Sequence, residues 1–451
     1  MCPTVSPIST LPVELLVEIS LFTIQDETHI ADALRVSQIC ARWRRIAHST
    51  PHLWNGPLVV DVWSQGSVLD SLYASGLRDW LARSAPLTVP FVFNFVEEDK
   101  SEPIVQSHLV NPSLPCWNEI LAVASRWRSL ETTPYEWLPW KFFLFGQLSG
   151  LALPNLEALC LSVKDRAGAT ESFPATPRLR KLSLQVDWDA SNLHLPWTQL
   201  HELHLACDCP DTALHILRQC RNLVRASLNG IETYEDASPR WTEQIVTLKH
   251  LRILSLTFEP IEGNGFFQCI PLLDCTSAPE LEEFSLSIEG ESRWEDVTSL
   301  SAFLSRSPNI TRLKLPPIES IMDEALMNAL HYMRNVTHLE VGCIEVGDDA
   351  EPLITALTYK DGVQALLPCL HHLVLQGPGL DDMPKILAGM ILSRWWKDAE
   401  LVAHGHGTSP PPVARWMRLE LGDNIMEVVG AEMRVARGDD GFGGLFECLK
   451  F

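Results

Sequence analysis

The sequence has no long apolar run. No uninterrupted apolar stretch approaches the ~20 residues that a helix needs to cross a bilayer. The opening MCPTVSPISTLPVELL carries no basic side chain before its apolar part, so it does not have the charge pattern of a secretory signal. We therefore expect a soluble, intracellular protein, located in the cytoplasm and/or the nucleus.

Basic side chains are also few. The chain has 35 Lys and Arg against 57 Asp and Glu, which gives a formal net charge of −22. An acidic protein of this kind is repelled by phosphate backbones and by anionic lipid headgroups. Binding to nucleic acid would need a local basic patch, and the sequence contains no such patch. The charge therefore predicts a protein that binds neither nucleic acid nor membranes.

Recognisable catalytic motifs are missing. The chain has no phosphate-binding loop of the form Gly-x-x-x-x-Gly-Lys-Ser/Thr, no dinucleotide fingerprint after a strand, no His-Glu-x-x-His helix and no Gly-x-Ser-x-Gly turn. Three close pairs lack the spacing or the carboxylate partners of a metal or catalytic set: Cys207 with Cys209, His201 with His204, and His371 with His372. His404 and His406 lie in a Gly-rich stretch that reads as a surface loop. We predict no enzymatic activity, no cofactor and no metal.

The twelve cysteines are scattered, mostly singly inside apolar runs, as in Leu159-Cys160-Leu161. In a reducing compartment, such cysteines pack as small buried hydrophobic residues. The sequence therefore predicts free thiols rather than a disulfide framework.

The sequence does contain a helical segment at residues 11 to 54. Pro12 suits the first turn of a helix, because its missing N–H would have no partner there, and Glu14 suits the positive end of the helix dipole. Two further helices are predicted, at about Ile30–Val36 and Ser37–His48. A unit of ~45 residues is near the lower limit for an isolated core, and its first helix has more apolar surface than so small a unit can bury.

This segment resembles the F-box. The resemblance rests on Leu11-Pro12-Val13-Glu14-Leu15, on Ser37-Gln38-Ile39-Cys40 followed by Trp43, and on the closing Leu53-Trp54. It implies that the helices dock on a Skp-type adaptor, which links the chain to a cullin and so to ubiquitin transfer. The implied adaptor-binding residues are Leu11, Pro12, Leu15, Ile19, Leu34, Cys40 and Trp43. The residues themselves leave a second interpretation open, in which Trp43 and Ile39 only build the module's own core.

The rest of the chain repeats an apolar-x-x-apolar-x-apolar block, as in PNLEALCLSV and KHLRILSLTF. Ten copies recur at separations of 21 to 30 residues, followed by two longer gaps of 34 and 46 that imply insertions. The first apolar residues of the blocks are Leu156, Leu179, Leu200, Leu223, Leu251, Leu281, Ile310, Val336, Leu370 and Trp416. The block is similar to the leucine-rich repeat, whose period is about 20–29 residues. One unit cannot bury its own apolar edge, so neighbouring units are expected to stack.

The predicted fold class is α/β, with a small all-helical module followed by a leucine-rich-repeat solenoid that has a parallel concave sheet and helices on its convex side. The predicted divisions are a helical module at 1–56, a linker with degenerate capping repeats at 57–150, the solenoid at 151–425 and a C-terminal cap or tail at 426–451. Predicted helices are Ser67–Ser84, Trp117–Leu130, Thr212–Cys220, Val297–Ser305, Asp323–Met333 and Pro384–Trp396. Predicted strands before the first block are Pro57–Val62 and Leu87–Phe95.

In such an array, the x positions of each strand point away from the core and form an open face. A face of this kind suits a protein ligand better than a small molecule. The candidate target-binding residues are Arg180, Lys181, His201, His204, Arg252, Arg312, Lys314, His338 and His371. The alternative is that these side chains only keep the sheet solvated.

Two functions fit the sequence. The resemblance implies the substrate-recognition subunit of a Skp–cullin–F-box ubiquitin ligase, which brings an unidentified target protein to ubiquitination and proteasomal degradation. The alternative is a leucine-rich-repeat scaffold or inhibitor without a ligase connection, whose first helices cap the array. Exposure of the Leu11–Ile19 face separates the two: an open face indicates docking, and a face packed against residues 57–100 indicates a cap.

Overall fold

The structure is a computed structural model that describes residues 7–25, 28–63, 70–96, 114–132, 151–163, 175–186, 194–207, 209–232, 245–259, 266–267, 271–288, 293–294, 298–316, 324–342, 351–376, 380, 383–395, 413–421 and 425–437. The chain divides into two compact units. The first comprises Met1–Gln185 and Asn192–Leu200, and the second comprises Val186–Ser191 and His201–Phe451.

The first unit begins with helices and continues into parallel strands. Its helices are α1 (Val13–Phe22), α2 (His29–Gln38), α3 (Ala41–His48), α4 (Asp70–Ser84) and α5 (Leu114–Ala122). Its strands are β1 (Leu58–Trp63), β2 (Val89–Val96), β3 (Trp127–Thr132), β4 (Ala158–Val163) and, at its boundary, β5 (Lys181–Val186). Short 3₁₀ turns lie at Pro7–Thr10, Pro51–Leu53, Ala124–Arg126 and Trp197–Gln199.

Helices α1, α2 and α3, with the turn Pro51–Leu53, form the N-terminal helical module. Helix α1 begins after Pro12, whose carbonyl accepts the N–H of Leu16 at 3.3 Å. The core of the module consists of side chains that are all buried: Leu16, Ala33, Val36, Trp43, Ile46, Ala47, Leu53 and Trp54. The indole N–H of Trp54 donates to the carbonyl of Ala47 at 2.7 Å, which ties the closing turn to α3.

Strands β1 to β4 pair in chain order, and each pairing is parallel. Aromatic rings pack beneath them. Phe91 lies 5.6 Å from Trp127, and Phe93 lies 5.6 Å from Trp117, between ring centroids. Because these four side chains are buried, the strands have a substantial apolar core although no leucine block occurs in residues 57–150.

The second unit alternates strands and helices. In chain order, it contains β6 (Glu202–Cys207), α6 (Pro210–Gln219), β7 (Arg225–Glu232), β8 (Val246–Thr247), β9 (Ile253–Glu259), β10 (Phe266–Phe267), α7 (Pro271–Asp274), β11 (Thr276–Ser277), β12 (Glu283–Ile288), β13 (Arg293–Trp294), α8 (Thr298–Ser305), β14 (Arg312–Leu315), α9 (Glu324–Tyr332), β15 (His338–Gly342), α10 (Glu351–Leu357), β16 (His372–Gln376), α11 (Pro384–Ser393), β17 (Arg418–Leu421) and α12 (Ile425–Arg437).

The main sheet of this unit places β6, β7, β9, β12, β14, β15, β16 and β17 side by side in that order, in parallel. Alternate residues of each strand are buried, as the twofold side-chain period of a strand requires. They form two apolar ladders. The first is Leu203, Ala226, Leu254, Phe284, Leu313, Leu339, Leu373 and Leu419, and the second is Leu205, Leu228, Leu256, Leu286, Leu315, Val341, Leu375 and Leu421.

The first apolar residue of each leucine block is the last residue of the turn that precedes the strand. In the second unit, these residues are all buried: Leu223, Leu251, Leu281, Ile310, Val336, Leu370 and Trp416. The N–H groups of Leu251, Leu281 and Leu370 each donate to the carbonyl three residues earlier, at 3.1 to 3.3 Å. Consecutive helices pack against one another, as α8 does with α9 and α11 with α12. One face of the sheet is therefore buried and the other carries the polar x positions.

Most of the predicted elements occur close to their predicted places. Helices α4, α6, α8, α9 and α11 lie within the segments predicted for them or differ by one or two residues at their ends, and β1 and β2 match the predicted strands. The predicted start of the third helix at Ser37 is wrong. The extended backbone of Cys40, with φ −162° and ψ 173°, separates α2 from α3.

The prediction of one helix over Trp117–Leu130 is also wrong. Helix α5 ends at Ala122, and Trp127–Thr132 form strand β3. Trp127 and Leu130 are both buried, and their three-residue spacing imitates a helical period. In the structure, this spacing comes from an irregularity in the strand. The register between β2 and β3 shifts at Val89/Pro90, and such a shift interrupts the alternation of buried and exposed side chains.

Helix α10 was not predicted, because the 34-residue gap around it read only as an insertion. Across the described residues, no helix has both the length and the apolar character needed to cross a bilayer. His404, His406 and the tail Gly438–Phe451 lie outside the described residues.

Candidate functional site

Apolar side chains lie exposed on the N-terminal helical module. Leu15 and Ile19 of α1 are 49% and 40% exposed, and Phe22 at the end of α1 is 93% exposed. Val13, Leu34 and Ile39 are exposed as well. We call these six residues the apolar docking surface. So much exposed apolar area on one small module is typical of an interaction site.

The predicted adaptor-binding residues divide into two groups. Pro12, Leu15, Ile19, Leu34 and Cys40 are exposed, and Leu11 is half-buried. The carbonyl of Leu11 accepts a hydrogen bond from Arg42 Nη2 at 2.7 Å, which ties the start of the module to α3. Trp43 differs from the rest, because it is only 5% exposed and packs inside the module. Its indole has little free area for a partner. Ile39, for which an internal position was the open alternative, is exposed.

Sequence reasoning did not single out Val13 and Phe22 as surface residues. Phe22 is three residues after Ile19, which alone indicates a shared helical face. Phe22 is the last residue of α1, and Thr23 caps the helix. The packing of α1 against α3 and the closing turn decides which apolar residues of α1 stay outside.

The closing turn of the module packs against α4. The Trp54 ring meets that of Trp80 edge-on at 4.8 Å between centroids, and the Arg83 guanidinium lies 4.8 Å above the Trp54 ring. Trp54 is fully buried by these contacts. For the described residues 57–63 and 70–96, the contact with the module runs through its closing turn, while Leu15 and Ile19 of α1 stay exposed.

A comparison with protein-family models agrees with this geometry. Residues 8–58 match the family described as F-box-like. These residues form an F-box-like domain. The match covers α1 to α3, the closing turn and the first residue of β1, a small part of the 451-residue chain. A search of curated proteins found no match to the chain.

Gly56 lies close against the His29 ring, so a substitution at this position tests the packing of the F-box-like domain. A Cβ at this position would lie 2.2 Å from Cγ and Nδ1 of the His29 ring, and His29 Nε2 is hydrogen-bonded to the Leu53 carbonyl at 3.1 Å. We expect Gly56→Ala to displace His29 and to lower the free energy of unfolding by about 1–3 kcal/mol, the usual range for overpacking. Urea denaturation of the full chain, followed by hydrogen exchange of the α2 amides, would measure this loss.

Gly76→Ala is the matched control, since a Cβ there meets nothing within 4 Å and the residue lies inside α4. This control should stabilise the protein by roughly 0.5–1 kcal/mol, because alanine restricts the unfolded chain and favours the helix. Equal stability of the two variants would contradict the close approach at Gly56.

The second candidate surface is the open face of the main sheet in the second unit. Two rows of outward side chains cross its strands in register. The first row is Glu202, Arg225, Ile253, Glu283, Arg312, His338, His372 and Arg418. The second row is His204, Ser227, Ser255, Ser285, Lys314, Glu340, Val374 and Glu420.

A depression of about 540 Å³ lies on this face, over β9 to β17. Its floor includes Ser255 and Ser285, whose short side chains leave room between longer neighbours. Its walls include the long side chains of Arg312, Lys314 and Arg418. The shape thus follows from the order of residue sizes along the two rows. We call this depression the sheet groove.

Four cations of the open face are paired with carboxylates: Arg252, Arg312, Lys314 and Arg418. Arg312 Nη1 lies 3.1 Å from Glu283, and Lys314 Nζ lies 2.6 Å from Glu340. Arg252 pairs with Glu282 at 3.2 Å, and Arg418 pairs with Glu420. These groups are partly exposed, and such pairs contribute only ~0.2–1 kcal/mol each. Each of these ion pairs can therefore be replaced by a pair with a charge on a bound protein, with little loss of stability.

Three imidazoles meet at one end of the sheet groove. His338 stacks on His372 with 4.2 Å between ring centroids, and His371 lies edge-on to both. His371 Nδ1 and His372 Nδ1 are 3.1 Å apart. Each ring has one nitrogen in a set of three nitrogens that all lie within 4.8 Å of one another. We call these three residues the histidine cluster.

The histidine cluster is held neutral at neutral pH. Burial, together with the neighbouring His372 and Arg312, lowers the pKa of His338 to about 4. Burial likewise lowers the pKa of His371 and of His372, and His371 adds to the effect on His372. Each imidazole then has one nitrogen that carries a proton and one that offers a lone pair.

Among the nine predicted target-binding residues, Arg180 and Lys181 belong to the first unit and the others to the second. Arg312, Lys314 and His338 line the sheet groove, and His371 touches it through His338. His201, His204 and Arg252 lie outside its lining. Sequence reasoning missed Arg418 and Glu420, which belong to the block that follows the 46-residue gap.

Proposed function

We propose that this chain is the substrate-recognition subunit of a Skp–cullin–F-box ubiquitin ligase. The observation that carries the proposal is the F-box-like domain at residues 8–58 together with its exposed apolar docking surface. F-box domains generally bind Skp-type adaptors. A protein with such a surface buries it against that adaptor, which is how the chain would join the cullin.

The array that follows the domain is proposed to be a leucine-rich-repeat solenoid. The support is that each leucine block gives one strand, that the main strands of the second unit pair in parallel and in register, and that their apolar side chains stack in two ladders. A chain of repeats that contact mainly their neighbours offers a long continuous face to a partner. The target protein would bind on the open face, at or near the sheet groove.

The mechanism that we propose is proximity. The F-box-like domain holds the adaptor and the array holds the target, so that a lysine of the target has a high effective concentration near the ubiquitin carrier. No side chain of this chain reacts in this mechanism, and the subunit is not itself an enzyme. Its contribution is the affinity and the geometry of two interfaces.

The alternative is a leucine-rich-repeat scaffold whose first helices serve only as a cap. A cap buries its apolar helix against the array. The exposure of Leu15 and Ile19 argues against this alternative, because a face that only caps the array has no reason to keep large apolar side chains in water.

Binding to a Skp-type adaptor tests the proposal. Isothermal titration of the full chain against the purified adaptor should give saturable one-to-one binding. Leu15→Ala combined with Ile19→Ala should weaken the affinity about 100-fold or more, since truncating a central apolar contact often costs about 2 kcal/mol or more. Both side chains are exposed, so circular dichroism of the variant should match that of the wild-type chain.

Leu72→Ala is the matched control. Leu72 lies in α4, is 69% exposed and is not part of the apolar docking surface. Its replacement removes a similar apolar area from the first unit and should leave adaptor affinity unchanged. Failure of the intact chain to bind the adaptor would overturn the ligase proposal and would favour the scaffold.

A further inference from the structure

We propose that His338, His371 and His372 form a binding site for one divalent transition-metal ion of the zinc class, with an open coordination position toward the sheet groove. The site goes beyond the ligase function and is independent of it. It also revises the sequence-based expectation that no metal is bound, which considered His371 and His372 without His338.

The geometry suits an ion held by nitrogen ligands. In tetrahedral zinc sites, Zn–N bonds of about 2.0–2.1 Å place the ligand nitrogens ~3.4 Å apart. The 3.1 Å between His371 Nδ1 and His372 Nδ1 is already close to this value. One nitrogen from each ring can be chosen so that all three lie within 4.8 Å of one another. Because His338 and His372 are stacked, one of these two rings must turn out of the stack for both lone pairs to point at one ion. Imidazole ligands favour zinc, copper, cobalt and nickel over magnesium or calcium.

A hydrogen-bond chain fixes the tautomer of His338. The Thr337 hydroxyl donates its only proton to the Thr311 carbonyl at 3.0 Å. The 2.8 Å contact between this hydroxyl and His338 Nδ1 must therefore be a bond in which Nδ1–H is the donor. His338 is left with a lone pair on Nε2, which is the form that binds a metal ion. Metal-ligating histidines commonly have their other nitrogen anchored in this way.

Local electrostatics permits a bound cation. Arg312 and Arg418 are the nearest positive side chains, and both act on the histidine cluster. Arg312 is paired with Glu283 and Arg418 with Glu420, and these two carboxylates oppose the effect of the arginines. The carboxylates thus offset part of the positive potential that the arginines produce at the cluster.

The site leaves one position of a tetrahedral ion free. Three protein ligands with a water molecule in the fourth position are typical of zinc sites that accept a further ligand. His338 and His372 line the sheet groove, so the free position faces the place where a protein segment would lie. A histidine, cysteine or carboxylate of a bound segment is the class of ligand that would complete the coordination.

Cobalt(II) substitution tests the site in the full chain. Dialysis of the apo protein against Co²⁺, with metal content measured by mass spectrometry, should give one bound ion with the visible d–d absorption of tetrahedral coordination. His338→Ala combined with His372→Ala should remove this ion and its absorption. His201→Ala combined with His204→Ala, on the same face but outside the cluster, is the control and should keep both.

A second variant separates a ligand role from a purely structural one. Thr337→Val removes the hydroxyl that orients His338 while leaving all three ligands, and should weaken metal affinity about 10- to 100-fold. Thr337→Ser should restore it. Metal content that is unchanged in the double histidine variant would place any bound ion elsewhere and overturn the proposal. Absence of the visible absorption in the wild-type chain would do the same.

Discussion

Replacing Arg394 with methionine should lower the free energy of unfolding of the second unit by about 3–5 kcal/mol. Arg394 is fully buried, and its guanidinium donates to the carbonyls of Leu357 and Leu367 at 2.9 and 3.0 Å and to that of Leu366 at 2.5 Å. A carbonyl left without a buried donor costs about 1–3 kcal/mol, which applies to Leu357 and Leu366, whereas Leu367 keeps the N–H of Leu370. Relief of the buried charge offsets part of that sum.

The local backbone explains why an arginine is needed at this position. Leu367 has φ 47°, a conformation that side-chain-bearing residues adopt rarely. The Leu367 carbonyl also accepts the N–H of Leu370 at 3.1 Å, and the Leu366 carbonyl accepts from Arg394 Nη2. Burial lowers the pKa of Arg394 to about 10, so the side chain stays protonated at neutral pH and keeps all its donors.

Guanidinium chloride denaturation monitored by circular dichroism would measure the loss, with hydrogen exchange of residues 351–376 to localise it. Arg334→Met is the control, because Arg334 is exposed in the same unit, and its effect should stay within about 0.5 kcal/mol. An Arg394→Met variant as stable as this control would mean that the carbonyls of Leu357 and Leu366 find other partners.

Replacing Trp54 with alanine should cost about 3–5 kcal/mol, the range for deleting a large buried aromatic side chain. Trp54 is fully buried, packs against Trp80 and His48, and donates from its indole N–H to Ala47. The loss should fall on the F-box-like domain, which has too small a core to absorb it. Adaptor binding should disappear because the docking surface is no longer held in shape.

Limited proteolysis and hydrogen exchange of α1 and α3 would show whether the domain has unfolded. Trp54→Phe is the control, since it keeps most of the apolar volume. The Ala47 carbonyl still accepts the N–H of Thr50 at 3.1 Å, so the expected loss is only about 1–2 kcal/mol. Trp54→Ala with intact α1 protection would show that the closing turn is not required for the domain.

The two kinds of variant in the first unit separate folding from binding. Trp54→Ala should abolish adaptor binding together with amide protection in α1 and α3. Leu15→Ala with Ile19→Ala should weaken binding about 100-fold or more while protection is retained, because neither side chain is in the core. A loss of protection in both would mean that the apolar docking surface is part of the fold.

Much of the architecture follows from short-range patterns. The leucine blocks predicted each of the strands β4 to β7, β9, β12 and β14 to β17, because alternation of apolar side chains requires a strand with one buried face. The motif Leu11-Pro12-Val13-Glu14-Leu15 with the closing Leu53-Trp54 indicated the F-box-like domain. Both signals lie within a few residues of the element that they predict, so no knowledge of the packing is needed to read them.

The candidate sites depended on tertiary structure to a greater degree. The sequence suggested Trp43 as an adaptor contact and left its burial open, and only the packing of α1 against α3 puts that ring inside the module. His338 and His372 are 34 residues apart, and they meet because β15 and β16 pair with these two residues in register. Arg394, four residues after Met390 in a predicted helix, gave no sign that it would hold a turn near Leu367.

The sequence by itself thus determined the type and order of most elements and the presence of the F-box-like domain, because these depend on the local period of apolar residues and on a compact motif. Only the tertiary structure decided which side chains are exposed on α1, which cations are paired on the open face and which histidines form a cluster. Those properties depend on strand register and on the lengths of the insertions between blocks, and such long-range contacts have no periodic signature along the chain.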